Sequence, residues 1–396
     1  MTTFSVQFLG CKVSHVDAHE VREALLADGH AETEAAEIAV VNTCCVTNEA
    51  VAKSRKAAAR AARTHRRVYV TGCGANLAGG AFAGLPDNVV VVAKRSEATP
   101  ASVAGDVGAI ACVQADARVD RVRAFVKVQD GCSFSCNFCV IPLVRGASRS
   151  RNAAAVLAEI ARRVEQGHRE VVLTGINLGC YRDRVAGYDL PRLVRAAGET
   201  PGLERLRLSS IEINHVNDGL VDALRETPTV SRHLHVPLQS GDDGVLRAMG
   251  RRYSAAIFLR RLAPLRDEFN LTSDVIVGFP AEDERAFTNT LRIARDAGLT
   301  KLHVFPYSPR PGTRTEHDDP VPPEVKRDRG VRLRELSADA CRARWRTKIG
   351  REDLVLVDRP GRGYGDDYSP WLVDAPVGDF VRVRGVAVTE EGIRAA

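Results

Sequence analysis

No stretch of this 396-residue chain approaches the ~20 consecutive apolar residues of a membrane-spanning helix, and that absence sets aside a helical membrane protein. The amino terminus runs straight into a strand-like pattern with no signal peptide, so a cytoplasmic location is expected. A strong charge imbalance is missing as well. With 56 basic and 50 acidic side chains the net charge is +6, which permits an anionic partner without demanding one. The remaining composition, 44% hydrophobic and 27% charged, is that of an ordinary soluble protein long enough for two or three domains. Without an export signal the ten cysteines read as metal ligands or buried apolar residues rather than disulfides.

What is present centres on Asp130 to Arg151, DGCSFSCNFCVIPLVRGASRSR. Cys132, Cys136 and Cys139 form a C-x-x-x-C-x-x-C triplet between a strand expected at Ala124 to Gln129 and a basic loop. Three thiolates this close can converge on one metal centre, yet they leave it one ligand short of the four that a closed zinc site or an ordinary iron–sulfur cluster takes. An open position is where chemistry happens. The competing readings are a zinc site with a distant fourth ligand, or three unrelated neighbouring thiols.

Residues 1 to about 95 alternate in pattern: strand at Phe4 to Gly10, helix at Asp17 to Ala27, strand at Glu37 to Asn42, helix at Asn48 to Arg63, strand at Arg67 to Gly72. This predicts a small parallel sheet covered by helices. Cys11, Cys44 and Cys73 each follow one of the three strands. In an open parallel sheet the loops at the carboxyl ends of neighbouring strands meet at one crevice, so these residues are expected to make a second three-thiolate site; the competing reading is three separately buried cysteines. Cys45 adds a further thiol beside Cys44, whose position in NTC makes it the better ligand.

Residues 96 to 120 read as a linker, with Cys112 structural. From Arg121 onward six strands are expected, at Ala124–Gln129, Glu170–Thr174, Arg205–Ser209, His233–Val236, Ser273–Val277 and Lys301–Phe305. Helices separate them, at Ala153–Gln166, Leu190–Ala197, Asn217–Glu226, Asp242–Met249, Ala255–Glu268 and Glu282–Ala297. Six β/α units are too few for a closed eight-fold barrel and suit an open one. Polar and small residues stand at the ends of its strands: Thr174, Gly175 and Asn177; Ser209 and Glu212; Gln239; and Gly278. Cys180 reads as structural. A basic amphipathic helix is expected within 321–350, with Val325, Leu333, Leu336, Ala340 and Ala343 on one side and arginines on the other. From residue 351 short strands alternate in a small domain.

The first triplet, with Phe138 before its last cysteine, resembles the signature of radical S-adenosylmethionine (SAM) enzymes, and IPLVRGASRSR (Ile141 to Arg151) looks like the methylthiotransferase branch. HVFPYSPRPGT is similar to the same branch, and LGCKV, NTCCVT and VTGC are similar to the subfamily that modifies N6-threonylcarbamoyladenosine at position 37 of tRNA. Ser14, His15 and Gly74 depart from that subfamily's usual Asn, Gln and Tyr.

The resemblance implies an α/β protein in parts: an N-terminal parallel-sheet α/β domain (1–95), a central partial (β/α)6 radical SAM barrel (121–320), the basic helix (321–350) and a small, shortened C-terminal β-barrel-like domain (351–396). It implies two 4Fe-4S clusters and SAM as cofactors. Cys132, Cys136 and Cys139 would hold the cluster that cleaves SAM, and Cys11, Cys44 and Cys73 an auxiliary cluster that carries sulfur. Thr174, Gly175, Asn177, Ser209, Glu212, Gln239, Ile276 and Gly278 would contact SAM. Arg145, Arg149 and Arg151 would hold an anion, and tRNA would be the partner, with no membrane association. Two alternatives stand beside this one: the same chemistry on a peptide, a protein side chain or a small molecule, and a non-catalytic iron–sulfur protein that binds RNA or senses iron.

Overall fold

Alternation of side chains across β-strands builds the first layer of the fold. The computed structural model describes residues 2–93 and 122–396, so the expected linker and Cys112 lie outside the described residues. Five parallel strands, β1 (Thr3–Phe8), β2 (Ala31–Glu32), β3 (Ile38–Thr43), β4 (Arg67–Gly72) and β5 (Val89–Val91), stand in the order β2-β1-β3-β4-β5. Ile38 and Val40 of β3 face α1 (Lys12–Ala27), packing with Val21 and Leu25, whereas Ala39 and Val41 face α2 (Asn48–Ala61), packing with Ala57 and Ala58. Both faces of β3 are therefore buried, which is why its sequence reads as an unbroken apolar run. The helix expected from Asp17 begins five residues earlier, at Lys12, and Cys11 precedes it directly.

Six longer strands carry the second part: β6 (Arg123–Asp130), β8 (Glu170–Gly175), β11 (Arg205–Leu208), β12 (His233–His235), β13 (Asn270–Val277) and β14 (Leu299–Pro306). Short strands accompany them: β7 (Arg149–Ser150), β9 (Arg182–Asp183) and β10 (Tyr188–Asp189). Pairings run β11-β8-β6-β7 and β12-β13-β14, and a single parallel bridge, Leu206 to Val230, bridges the gap before β12. All six expected strands are present in parallel arrangement, as an open barrel. Along β13 the apolar Leu271, Val275 and Val277 pack under the helices, and Thr272 and Asp274 alternate with them onto the other face. The helix expected to run from Ala255 to Glu268 stops at Leu262, because Pro264 has no amide hydrogen with which to continue it.

The terminal helix spans Pro323–Arg346, and its inward face is not the expected apolar stripe. Lys326 and Arg329 are buried together with Leu333, while Ala343 is exposed. Arg329 donates to Glu282 at 2.8 Å and Lys326 Nζ donates to the Tyr307 carbonyl at 3.3 Å, so two cations are satisfied inside the packing. The last segment, though short, closes into a five-stranded barrel of β15 (Glu352–Arg359), β16 (Arg362–Tyr364), β17 (Pro370–Leu372), β18 (Phe380–Val388) and β19 (Ile393–Ala395) around Trp371, Val355, Val357, Val383 and Ile393.

Two compact units result. One comprises Met1–Arg118 with Asp130–Arg149 and Ser308–Asp318, and the other Val119–Gln129, Ser150–Tyr307 and Asp319–Ala396. The loop bearing the triplet Cys132, Cys136 and Cys139 thus packs within the same unit as Cys11, Cys44 and Cys73.

Candidate iron–sulfur and SAM site

In the first unit, β1, β3 and β4 are neighbours in the sheet, and Cys11, Cys44 and Cys73 lie just beyond their carboxyl ends. Gly10 makes the approach possible. It sits at φ +129°, and a Cβ there would stand 3.1 Å from the Cys44 Cβ and 2.8 Å from the Ser14 hydroxyl. Cys11 occupies the position directly ahead of the 16-residue α1. Cys44 is held at its backbone by the Ser54 hydroxyl, 3.2 Å from its amide. Burial pushes the Cys44 thiol up to about 11, with the neighbouring Cys73 and Cys11 adding to the rise. Cys73 is drawn down to about 7, by a hydrogen bond from Cys45 and by the Arg145 guanidinium.

The second triplet sits on the loop that leaves β6. Gly131 (φ +68°) starts it, the Cys132 amide donates to the Gly146 carbonyl at 3.0 Å, and the Cys139 amide donates to the Cys136 carbonyl at 3.2 Å. Thr315 closes over it, donating to the Asn137 carbonyl at 3.1 Å. Val140 and Val144 pack against Cys45 and Cys73, bringing the two cysteine loops into one apolar cluster. Cys132, Cys136 and Cys139 are each partly exposed.

Neither triplet is gathered tightly enough for a single ion. Thiolates on one zinc would stand about 3.8 Å apart. Among the described residues, the one His/Cys/Asp/Glu group whose ligand atoms all lie within 4.8 Å of one another is His235, Asp274 and His303. Soft sulfur donors set more widely, three to a site, fit a multi-iron cluster with one open corner.

Of the expected anion-binding residues, Arg145 is 3% exposed and its fork is filled by Cys73, Asp130 and Asp17. It is not presented to a diffusing anion. Arg149 donates to the Arg145 carbonyl at 3.3 Å, and Arg151 donates to the Lys127 carbonyl and to Glu159. Along and after α2, Lys53, Lys56, Arg60, Arg63, Arg66 and Arg67 are exposed, whereas Arg55 is turned to the carbonyls of Ala81 and Ala83.

In the second unit the expected SAM contacts lie at the carboxyl ends of barrel strands. Thr174 and Asn177 are buried, and the Thr174 hydroxyl and the Asn177 amide oxygen have no hydrogen-bond partner among the described residues. Buried polar atoms in native proteins are seldom left so, and the pair suits the ammonium or hydroxyl groups of a bound ligand. The Asn177 amide is fixed by the Gln129 side chain at 2.8 Å, and the Gly175 amide faces the Ser209 hydroxyl at 3.3 Å. Gln239 adopts φ +63°, a strained conformation for a side-chain-bearing residue, held by the Asp274 carbonyl and the Ile276 amide. Gly278 donates to Glu282 at 2.7 Å, while Ile276 lies opposite Phe305. Glu212 is occupied locally, accepting from the Asn214 amide and side chain. Cys180 lies 3.4 Å from the His215 ring.

Sequence reading missed two features. His235, Asp274 and His303 share the polar face of β12–β14, with His235 Nε2 3.2 Å from Asp274; polar residues alternating with apolar ones were the available signal. The partners of Arg145 had no local signal at all.

Residues 126–294 match the radical SAM superfamily, and residues 3–93 match the uncharacterized protein family UPF0004. The chain is 33% identical to a threonylcarbamoyladenosine tRNA methylthiotransferase of Thermotoga maritima, over 99% of this chain and 96% of that one. It is 34% identical to a tRNA-2-methylthio-N(6)-dimethylallyladenosine synthase of Cereibacter sphaeroides, over 96% of this chain and 94% of that one. Among solved structures it resembles the radical S-adenosylmethionine methyltransferase TsrM of Kitasatospora setae, with a TM-score of 0.57 at 13% identity over 80% of this chain and 77% of that one, a likeness of fold alone.

Proposed function

Because this chain belongs to the radical SAM methylthiotransferase family, we propose that it installs a methylthio group at C2 of N6-threonylcarbamoyladenosine at position 37 of tRNA. The observation that carries this reading is the pair of cysteine triplets, one at adjacent strand ends of the parallel sheet and one in the loop leaving β6. When bound, the two 4Fe-4S clusters and SAM supply a carbon radical, a sulfur atom and its methyl group.

The chain's own residues bind, orient and shield. Cys132, Cys136 and Cys139 hold one cluster, and Cys11, Cys44 and Cys73 the other. Val140, Val144 and Cys45 pack around Cys73 and keep water from its sulfur. The orphaned Thr174 hydroxyl and Asn177 amide oxygen accept hydrogen bonds from SAM, with Gly175 allowing close approach. Ser209 and Gln239 add polar contacts, Glu212 offers a carboxylate oriented by the Asn214 amide and side chain, and Ile276 and Gly278 offer an apolar edge and a backbone to the adenine. Arg149, Arg151 and the exposed cations along and after α2 favour a polyanion such as the anticodon stem.

A second substrate, N6-dimethylallyladenosine, is favoured by the equally high identity to the C. sphaeroides synthase. Mass spectrometry of digested tRNA from a strain lacking the gene separates the two. Loss of the 2-methylthio derivative of threonylcarbamoyladenosine is expected, restored by the wild-type gene and not by Cys132→Ala. Loss of the dimethylallyl derivative instead would establish the second substrate, and an unchanged nucleoside profile would sink both.

A further inference from the structure

Arg145 donates from Nε to the Cys73 sulfur at 2.9 Å, from one terminal nitrogen to Asp130 at 3.0 Å and from the other to Asp17 at 2.5 Å. The three acceptors come from three separate segments. Asp17 lies on α1 behind Cys11, Cys73 follows β4, and Asp130 ends β6 two residues ahead of Cys132. We propose that Arg145 is a positioning residue for the auxiliary cluster: its hydrogen bond to the Cys73 sulfur raises that cluster's reduction potential, and its fork ties the site to the loop of the other triplet. The inference rests on Cys11, Cys44 and Cys73 being cluster ligands.

The physical argument concerns charge. Reduction places extra negative charge on the iron–sulfur core and its thiolate ligands, so a donor aimed at a ligand sulfur stabilises the reduced form more than the oxidised one. A guanidinium is permanently charged, and charge-assisted hydrogen bonds are the strong ones. Burying it at 3% exposure requires compensation, which Asp17 and Asp130 supply. Those carboxylates also oppose reduction, so the potential reflects a balance among three groups. Were Arg145 present only to neutralise the two carboxylates, its Nε would have no reason to point at the sulfur. A lysine at this position keeps the charge but, on one nitrogen, cannot reach three acceptors spread around a plane.

The test uses the full chain carrying Cys132→Ala, Cys136→Ala and Cys139→Ala, reconstituted so that only the auxiliary cluster is present, with its midpoint read by EPR-monitored redox titration. Adding Arg145→Lys is expected to move the midpoint to more negative potential, by up to about tenfold in the equilibrium, ~59 mV for one electron. Adding Asp17→Asn is expected to move it the other way, at unchanged iron and sulfide content. A merely structural role would not produce shifts of opposite sign. Should Arg145→Lys fail to hold its cluster, Arg145→Gln, which removes the charge, decides in its place, with the same negative shift expected. A midpoint equal to the parent's in a fully loaded Arg145→Lys or Arg145→Gln variant would overturn the inference. A triple-alanine parent that binds no cluster would instead overturn the ligand assignment beneath it.

Discussion

Cys44 and Cys45 are adjacent in the chain, yet their sulfurs meet different surroundings. Cys45 is fully buried with Val140 and Val144 and is within hydrogen-bonding reach of Cys73, which together with burial pushes its thiol well up. Cys44 lies against Gly10 and senses both Cys11 and Cys73. A coordinating thiol is deprotonated outright whatever its resting tendency, so the raised Cys44 value does not argue against ligation. Cys44→Ala is expected to lose the auxiliary cluster. Cys45→Ala should keep its iron and lose only packing, on the order of 1–2 kcal/mol. Iron and sulfide analysis of the anaerobically reconstituted proteins checks both, and the opposite pattern would make Cys45 the ligand. The NTC motif pointed to this position, but the chain pattern alone could not show which of two consecutive side chains turns toward Cys11.

At the scale of elements, the loop from Gly131 to Ser148 depends on one backbone conformation. Gly131 has φ +68°, and a Cβ there would lie 2.1 Å from the Ala147 carbonyl oxygen. Gly131→Ala is therefore expected to displace the loop, removing the cluster on Cys132, Cys136 and Cys139 and with it formation of 5′-deoxyadenosine from SAM. The barrel core, built from residues such as Val126, Leu173 and Leu271, is elsewhere, so far-UV circular dichroism should be unchanged. Iron content falling by half, with normal dichroism, is the signature to seek. Elements were readable in the sequence as unbroken apolar runs in β3 and β8 and as alternation along β13. The helix Pro323–Arg346 was readable in extent but not in orientation. Its apolar stripe is thin, and Lys326 and Arg329 are drawn inward by Tyr307 and Glu282.

The second unit as a whole is organised around a buried ion cluster. Glu170 is fully buried, accepts from Arg207 at 2.8 Å and Arg205 at 3.2 Å, and forms an ion pair with Arg123 at 2.7 Å, all near the amino-terminal ends of barrel strands. The same arginines reach the terminal barrel: Arg207 donates to the Gly365 carbonyl at 2.7 Å, Arg205 to the Tyr364 carbonyl at 3.2 Å, and Arg123 stacks on Tyr364. The small terminal barrel is thus anchored to the barrel end away from the candidate SAM residues. Burial alone would raise the Glu170 carboxyl, but Arg207, Arg123 and Arg205 outweigh it and hold it below the usual carboxylate range. A carboxyl depressed in the folded state contributes stability that is present above its unfolded value of about 4.3 and is lost as pH falls below that toward the folded value. Glu170→Gln should cost about 3–5 kcal/mol at pH 7, and its stability should fall less steeply than the wild type's between about pH 5 and pH 3. Urea unfolding of the cluster-free proteins across that range measures both, and parallel pH profiles would contradict the assignment.

That the six cysteines fall into two groups of three was legible in the sequence, for two physical reasons. Cys132, Cys136 and Cys139 are so close along the chain that almost any loop brings them together, and Cys11, Cys44 and Cys73 share one topological address, the carboxyl end of a parallel strand, which the β/α alternation makes predictable. The parallel sheet and the six-stranded open barrel follow from the same alternation. Tertiary structure alone decided the electrostatics. Arg145 meets Cys73 across 72 residues of chain and Asp17 across 128, and Glu170 gathers three arginines from two strands, β6 and β11. A charged side chain looks the same in sequence whether it faces water or fills a buried fork. Only packing, which removes water and leaves a single set of partners within reach, determines which it does.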